Sequence, residues 1–246
     1  MLVRDMMTVH LITVEPDDTI AHAANLLRQH QFHHLPVVRS VRRPHTEKTV
    51  YQSQPPLLLF QGLLTTQDIN MAVALARQET DNHLHTRPWQ ERRVAEIMSV
   101  PEVWINPTTS AAAAAQLLVE RGINAMPVIE TDQEGTEQQP LLVGLLTRSD
   151  MLLAFARSLG AFEPGTQITI QLPTGQMAPL AKVLLLADEL HIGVCGLIAA
   201  PHQQHTPRSA SLRLSTINPG PLLIRLKQEG ISYLSGNSDE EGKYRD

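Results

Sequence analysis

An internal duplication constrains the fold of this chain more than any other feature. An offset of 91 residues aligns Val3 with Val94, Met7 with Met98, Pro16 with Pro107, Leu26 and Leu27 with Leu117 and Leu118, and Pro36 with Pro127. After these positions the offset shortens by nine, and Gly62, Thr65 and Asp68 align with Gly144, Thr147 and Asp150. A longer surface loop at about residues 39–56 of the first copy accounts for the change, because loops tolerate insertions. Two copies of one structural unit are therefore predicted.

Each repeat is predicted to contain a strand, a helix, two strands and a second helix. The first strands are the short runs 11–14 and 103–105, and Asp17 and Thr108 are the candidate N-caps of the helices that follow. Apolar residues at helical spacing give each helix a core face: Ile20, Ala23, Ala24 and Leu27 in one copy, and Ala111, Ala114, Ala115 and Leu118 in the other. Pro36 and Pro127 predict strand starts or sheet edges, because proline donates no ladder hydrogen bond.

A Gly-x-x-Thr-x-x-Asp motif occurs once in each repeat, at residues 62–68 and 144–150, after a hydrophobic-Pro-hydrophobic strand. On these motifs, residues 1–157 resemble a tandem cystathionine-β-synthase (CBS) domain pair, a regulatory module that binds adenine nucleotides. The resemblance implies an α/β (α+β) fold in which duplicated β-α-β-β-α repeats form one CBS pair. We expect repeat 1 at residues 1–78, a linker at 79–92 and repeat 2 at 93–159.

The Thr-x-x-Asp spacing places both side chains near the N-terminus of one helix. Free N–H groups and the positive end of the helix dipole favour phosphate there. A carboxylate can accept both hydroxyls of a ribose, and a threonine hydroxyl can donate to a phosphate oxygen. The alternative is structural: Thr65 and Thr147 cap their helices, and Asp68 and Asp150 only balance the dipole.

The resemblance implies two nucleotide sites, in which the aspartate holds the ribose, the threonine lies near phosphate or ribose, and residues around the proline strand line an adenine slot. The first set is Thr65, Asp68, His33, His34, Leu35 and Pro36. The second set is Thr147, Asp150, Asn124, Ala125, Met126 and Pro127. The strand before the first helix, around Thr13 and Ile105, is expected to form the opposite wall.

The two predicted sites differ in charge. His33 stands where some members of the resembled family contact phosphate with a basic side chain, whereas its counterpart Asn124 carries no charge. Arg148 lies beside Thr147 and can hold a phosphate through two hydrogen bonds, whereas the first repeat has Thr66 there. Ordinary surface exposure is the alternative for both His33 and Arg148.

Two further groups of chemically versatile residues are assigned structural roles. The cluster His30-x-x-His33-His34 is not expected to bind metal, because no acidic or sulfur ligand lies nearby in sequence. Histidines also suit the end of a helix, where the dipole is negative. Cys195, in a β-type run, is expected to be a small buried hydrophobic residue rather than a nucleophile.

Residues 166–235 follow a different pattern, with strands predicted at 167–172, 193–198, 210–214 and 231–234 and helices at 179–190 and 219–229. This βαββαβ order resembles a ferredoxin-like, ACT-like domain. The whole architecture resembles bacterial acetoin-utilisation regulatory proteins. ACT ligand loops usually carry an acidic residue and a glycine, and Pro173-Thr174-Gly175 departs from this pattern. Oligomerisation or a partner surface is therefore favoured over amino-acid binding at Gly175, and residues 236–246 are expected to be a flexible tail.

Composition narrows the setting and the partners. A net charge of −5 and 4% aromatic residues argue against nucleic acid as a partner. No apolar run approaches the roughly 20 residues that span a bilayer, and residues 1–5 lack the pattern of a signal peptide. The single cysteine cannot form an internal disulfide, so a cytoplasmic location is expected.

These observations favour a non-catalytic regulatory protein that uses AMP, ADP or ATP as a regulatory ligand and has no catalytic cofactor. Neither a P-loop nor a dinucleotide fingerprint occurs in the sequence. One alternative is an interaction scaffold whose clefts stay empty. The other is a small enzyme using the C-terminal domain, which offers only the scattered His191, His202 and His205.

The helix after Asp150 carries more apolar residues than one core-facing stripe requires: Met151, Leu152, Leu153, Phe155 and Leu159. Such an excess predicts a homodimer through the helices of the CBS pair, with nucleotide altering the angle between pairs. An unidentified protein partner is also compatible with it. The alternative is that these residues pack against the chain's own third domain.

Overall fold

The computed structural model describes residues 1–41, 56–81, 87–131, 139–173, 176–199 and 208–235. The chain divides into two compact units, Met1–Met151 and Leu152–Asp246. Residues 42–55 of the predicted inserted loop, part of the linker, Gly175, His202, His205 and the predicted tail lie outside the described residues.

Within the described residues, the first unit contains four α-helices and four strands, and the last of these helices continues into the second unit. The helices are α1 (Ile20–His30), α2 (Thr66–Asp81), α3 (Ala111–Glu120) and α4 (Arg148–Ser158). The strands are β1 (His34–Val41), β2 (Leu57–Thr65), β3 (Ala125–Thr131) and β4 (Pro140–Thr147). They form one sheet in the order β1-β2-β4-β3, so each repeat contributes a hairpin and the hairpins meet at β2 and β4.

The duplication is preserved in the details of the sheet. Pro36 and Pro127 lie on β1 and β3, the two edge strands, as predicted. The register shifts at equivalent points, between Val37 and Val38 in one hairpin and between Val128 and Ile129 in the other. Both repeats therefore share one backbone plan, including its bulge.

The structure corrects the predicted helix starts. Thr19 and Ser110 are the N-caps, and their hydroxyls accept from the N–H groups of His22 and Ala113 at 3.2 Å. Asp17 and Thr108 were predicted as caps, but two further residues form a turn before each helix begins. In the first repeat Asp18 closes this turn, because its carboxylate accepts from the N–H of Glu15 at 2.8 Å.

The prediction that each repeat begins with an extended strand is also wrong. Only single parallel bridges form, between Val14 and Val37 and between Ile105 and Val128. Each bridge uses two backbone hydrogen bonds, such as those from Val14 N–H to the Pro36 carbonyl at 3.1 Å and from Val38 N–H to the Val14 carbonyl at 2.9 Å. The proline that follows each run ends the pairing.

The segment that opens each repeat docks on the other repeat. We call residues 2–8 and 93–99 the crossing segments. Val3 is fully buried in the repeat 2 core, with Met126 and Leu146, whereas Val94 is fully buried in the repeat 1 core with Ile20 and Leu64. The sequence alignment pairs these segments with each other but does not indicate which repeat each one contacts.

Backbone hydrogen bonds fix the crossing. Thr8 and Leu145 exchange two hydrogen bonds at 3.0 Å, and Ser99 and Leu63 exchange two at 2.8 and 3.0 Å. The Val3 N–H also donates to the Thr109 carbonyl at 2.9 Å. A further apolar cluster, formed by Val38, Phe60, Ile129 and Leu142, joins the two hairpins. The repeats are therefore structurally interdependent.

In the described part of the second unit, a four-stranded antiparallel sheet is accompanied by two α-helices. The elements are β5 (Thr166–Gln171), α5 (Ala178–Glu189), β6 (Val194–Ile198), β7 (Ser209–Leu214), α6 (Gly220–Gln228) and β8 (Tyr233–Ser235). The strand order β6-β7-β5-β8 is that of a ferredoxin-like βαββαβ domain. Alternate residues of β5 and β7 face a core that is completed by α5 and α6. The predicted fold class is confirmed for both units.

Candidate functional site

Two equivalent sites lie where a buried strand runs directly into a helix. Thr65 ends β2 and Thr147 ends β4, and α2 and α4 begin at the next residue. The first N–H of each helix donates to a carbonyl of the neighbouring strand connection, that of His33 at 3.2 Å and that of Asn124 at 3.0 Å. His33 and Asn124 are thereby held beside the two helix N-termini.

Each Thr-x-x-Asp motif forms a reciprocal cap. The Thr65 hydroxyl accepts from the Asp68 N–H at 3.2 Å, while one Asp68 oxygen, Oδ2, accepts from the Thr65 N–H at 2.8 Å and its hydroxyl at 2.7 Å. Thr147 and Asp150 repeat these contacts at 3.1, 2.8 and 2.7 Å. The capping interpretation of the threonines therefore describes a real structural role.

The capping contacts leave one carboxylate oxygen of each aspartate, Oδ1, available to accept hydrogen bonds. In each cap, two contacts run from the threonine N–H and hydroxyl to the aspartate Oδ2, and the third runs from the aspartate N–H to the threonine hydroxyl, so none of them uses Oδ1. Asp68 and Asp150 are half-buried rather than enclosed. A carboxylate oxygen can accept more than one hydrogen bond, so Oδ1 can receive ligand hydroxyls without disrupting the cap.

His33 and His34 lie beside the N-terminus of α2 in the first repeat. His34 pairs across the sheet with Thr65 and is half-buried, whereas His33 is exposed. Burial and the neighbouring His33 lower the pKa of His34, and the nearby Asp68 carboxylate opposes that shift. The neutral form of His34 is therefore favoured more than in an isolated histidine. In the second repeat Ala125 takes the place of His34 and pairs with Thr147.

Arg148 is at the second helix start but is held by the protein. Its Nη2 donates to the Leu118 carbonyl at 3.0 Å, near the end of α3. This bond satisfies a carbonyl in the last turn of that helix, where a cation is favourable. The side chain is exposed enough to contact solvent, and four of its five N–H donors are not used by this bond.

Several predicted site residues are placed in the core. Leu35 and Met126 are fully buried in the two repeat cores, and Ile105 is 4% exposed in the second. Pro36, Ala125 and Pro127 are also buried. The structure brings together Thr65, Asp68, His33 and His34, and separately Thr147, Asp150, Asn124 and Arg148. The side chains of Leu35, Met126 and Ile105 pack in the hydrophobic cores of the repeats instead.

The two residues predicted for the opposite wall of the sites, Thr13 and Ile105, are not equivalent positions of the two repeats. Thr13 is half-buried, and its equivalent under the 91-residue offset is Trp104, not Ile105. Trp104 is 58% exposed, so it is the accessible side chain at this position in the second repeat. The 91-residue offset applied to Thr13 identifies Trp104 from the sequence alone.

The motif glycines have a role that the sequence motif alone does not reveal. A Cβ at Gly62 would lie 2.8 Å from the Ser99 carbonyl oxygen, and one at Gly144 would lie 2.6 Å from the Met7 sulfur. Both glycines are therefore needed for the crossing segments to pass close to the sheet. Thr8 belongs to one of these segments, and its hydroxyl lies 3.4 Å from Asp150 Oδ1.

Other chemically versatile residues have structural environments. The rings of His30 and Phe32 stack at 5.3 Å, and within the described residues no three potential metal ligands come together. Cys195 is half-buried in β6. His191 adopts a left-handed conformation with φ 53° at the end of α5. No helix in the described part of the chain has the length and apolarity needed to cross a membrane.

The second unit has an open cavity of about 380 Å³. It is lined by Leu153, Arg157, Phe162 and Glu163. The Glu163 carbonyl accepts two hydrogen bonds from the Arg213 guanidinium, at 2.7 and 3.2 Å. None of the sequence-predicted nucleotide ligands lines this cavity.

The comparisons with known proteins agree with the repeat analysis. The family model for the CBS domain matches residues 3–44 and 94–157. The chain is 28% identical to the CBS domain-containing protein YhcV of Bacillus subtilis (strain 168), over 61% of this chain and 81% of that protein. It is also similar to the L-aspartate semialdehyde sulfurtransferase of Methanosarcina acetivorans, at 26% identity over 63% of this chain but only 24% of that protein.

Among solved structures, a putative acetoin utilization protein (AcuB) from Vibrio cholerae is 21% identical and has a TM-score of 0.45. That similarity covers 63% of this chain and 90% of the Vibrio chain. The family match and the curated relatives support a CBS domain pair in the first unit. The ACT-like identity of residues 166–235 stays a prediction.

Proposed function

We propose that the first unit is a non-catalytic regulatory module that binds an adenine nucleotide, AMP, ADP or ATP, at its two Thr-x-x-Asp sites. In this proposal Asp68 and Asp150 accept the ribose hydroxyls, and the helix N-termini with Thr65 and Thr147 face the phosphates. His33 and Arg148 contact the phosphates at the first and second site respectively.

The observation that carries the proposal is the second oxygen of each aspartate, Oδ1, which the cap does not use. A helix needs one carboxylate oxygen at this position for its cap, and Oδ2 meets that need in both repeats. Oδ1 is left at a half-buried helix N-terminus, where a ligand with both hydroxyls and phosphate is favoured. The CBS family match covers residues 3–44 and 94–157, which include Thr147 and Asp150, and supports this assignment at the second site.

A second candidate function is an interaction scaffold with empty clefts. The complete reciprocal caps favour it, because Thr65, Asp68, Thr147 and Asp150 satisfy one another without a ligand. The two candidates differ in one measurable property. A nucleotide that binds only the folded chain raises its melting temperature, whereas a scaffold shows no such shift.

Replacing Asp150 by alanine is expected to weaken nucleotide binding at the second site by about 1–3 kcal/mol, the value of hydrogen bonds to a charged group. Asp68→Ala is expected to do the same at the first site. Isothermal titration with AMP, ADP and ATP measures affinity and stoichiometry for each variant. Melting temperatures of the same samples record the loss of the caps separately.

Asp18→Ala is the matched control for these variants. Asp18 also caps a backbone N–H through one oxygen at 2.8 Å, but it is outside both sites. We expect this variant to lose some stability and to keep the affinity and stoichiometry of the parent chain. Unchanged binding in both Asp68→Ala and Asp150→Ala would disprove the ribose assignment.

We further propose that the chain forms a homodimer through α2 and α4, in a cytoplasmic setting, and that the second unit is an ACT-like oligomerisation or partner domain. On α4, Leu152 is 69% exposed and Phe155 is 56% exposed. Met71 and Leu75 of α2 are 59% and 50% exposed. Apolar side chains grouped on a helix surface support an interface.

The double variant Leu152→Lys/Phe155→Lys is expected to convert the dimer to a monomer, because both apolar contacts are replaced by charges that cannot be buried without a partner. Light scattering on the full chain at micromolar concentration measures the mass. Val119→Lys is the control, since Val119 is an apolar residue of comparable exposure, at 75%, on α3, outside both helices of the proposed interface. A monomeric parent chain, or equal masses in all three proteins, would contradict the proposed interface.

A further inference from the structure

The two sites differ in which side chain contacts Oδ1, the aspartate oxygen that the cap does not use. In the second site the Thr8 hydroxyl lies 3.4 Å from Asp150 Oδ1. Ser99 is the equivalent of Thr8 in the duplication, but its hydroxyl donates to the Leu63 carbonyl at 3.2 Å. Both residues are on the crossing segments, so each site is next to a segment from the other repeat.

The backbone around Thr8 is fixed while its hydroxyl is not. Thr8 and Leu145 exchange two backbone hydrogen bonds at 3.0 Å, and the neighbouring Met7 sulfur would lie 2.6 Å from a Cβ at Gly144. The side chain itself is exposed, and its contact with Asp150 is longer than the usual O–H···O bond. Rotation about χ1 therefore moves the hydroxyl without displacing the segment.

We propose that Thr8 is a positioning residue that sets the affinity of the second site, an inference that rests on the proposed nucleotide function. The Thr8 hydroxyl occupies one acceptor direction of Asp150 Oδ1. A ligand with a vicinal diol requires that oxygen, so its hydroxyls displace Thr8. Ser99 imposes no such competition at the first site, because its hydroxyl is directed to the main chain.

The test isolates the second site in the full-length Asp68→Ala chain and uses AMP as the probe. Adding Thr8→Val removes the hydroxyl and keeps the β-branched shape, and we expect it to tighten AMP binding by about 3- to 10-fold, the modest effect of one weak hydrogen bond. Thr8→Ser keeps a hydroxyl and should retain the affinity of the Asp68→Ala parent. Ser99→Ala in the Asp150→Ala chain should leave AMP binding at the first site unchanged.

A nucleotide without the diol supplies the decisive readout. The Thr8→Val substitution should leave the affinity for 2′,3′-dideoxy-AMP unchanged, because this probe does not compete for Asp150 Oδ1. An equal gain for both probes, or an unchanged or weaker affinity for AMP, would overturn the role of Thr8. If the Asp68→Ala parent bound no AMP, the proposed function of this site would fail first, and the inference with it.

Discussion

Replacing Val3 by aspartate is expected to destabilise the chain by about 3–5 kcal/mol, because it places an unpaired carboxyl group in an apolar core. Val3 is fully buried, although it is only the third residue of the chain. The residues around it belong to the second repeat, among them Leu118, Met126 and Leu146. The damage is therefore expected in repeat 2, about a hundred residues away in sequence.

Hydrogen exchange measured along the chain locates the damage. We expect protection to fall most in β3 and β4, and least in α1 and β1 of the first repeat. Val9→Asp is the matched control: Val9 is 53% exposed, so the same chemical change there should cost little. Loss of protection centred on α1 would show that the crossing of the segments is incorrect.

The second large effect is expected from Gly62→Ala, which should cost about 3 kcal/mol, the upper end of the usual cost of overpacking. The new methyl group would lie 2.8 Å from the Ser99 carbonyl oxygen, and this oxygen accepts the Leu63 N–H at 2.8 Å. The contact joins the backbone at Gly62 to the backbone at Ser99, so no flexible side chain can move to relieve it. Chemical denaturation of the two chains measures the difference in unfolding free energy.

Gly144→Ala is the internal comparison for this prediction. Its methyl group would meet the Met7 sulfur at 2.6 Å, but a methionine side chain can rotate away, and the nearest backbone atom, the Thr8 oxygen, is at 3.2 Å. We expect a cost of about 1 kcal/mol. Equal effects at the two glycines would mean that the crossing segments tolerate displacement equally, contrary to the geometry described above.

Much of the fold could be predicted from local patterns in the sequence. Ile20, Ala23 and Leu27 form the buried face of α1, as the helical spacing indicates, and Leu118 does so in α3. The alternation of β5 predicts the buried positions of that strand correctly. These features depend on neighbours three, four or two residues apart, and such distances are visible in a sequence.

Other features depend on choices among similar residues. Asp17, Asp18 and Thr19 are all suitable N-caps, and only the turn from Glu15 to Asp18 decides that Thr19 takes this role. The Thr-x-x-Asp motif likewise predicts a cap and a ligand site equally well. Its geometry shows the cap and identifies the oxygen that the cap does not use.

The crossing could not be predicted from the sequence, because it is a long-range contact between repeats of similar composition. Val3 and Val94 are the same residue type in equivalent positions, and each fits an apolar core of the other repeat. Ile105 lies inward for a different reason, which is a backbone contact within repeat 2. Its bridge to Val128 turns the side chain into the core and leaves the exposed position to Trp104.

The crossing also sets an order of assembly during protein synthesis. Repeat 1 is completed by Val94 and Ser99, so its core can close soon after residue 99 leaves the ribosome. Val3 and Arg4 have no final backbone hydrogen-bond partners until Thr109 and Pro107 have been made, and the Thr8 backbone has none until Leu145 of β4 has been made. Residues 2–8 can thus dock only as repeat 2 is synthesised, whereas residues 93–99 dock on a repeat that is synthesised before them.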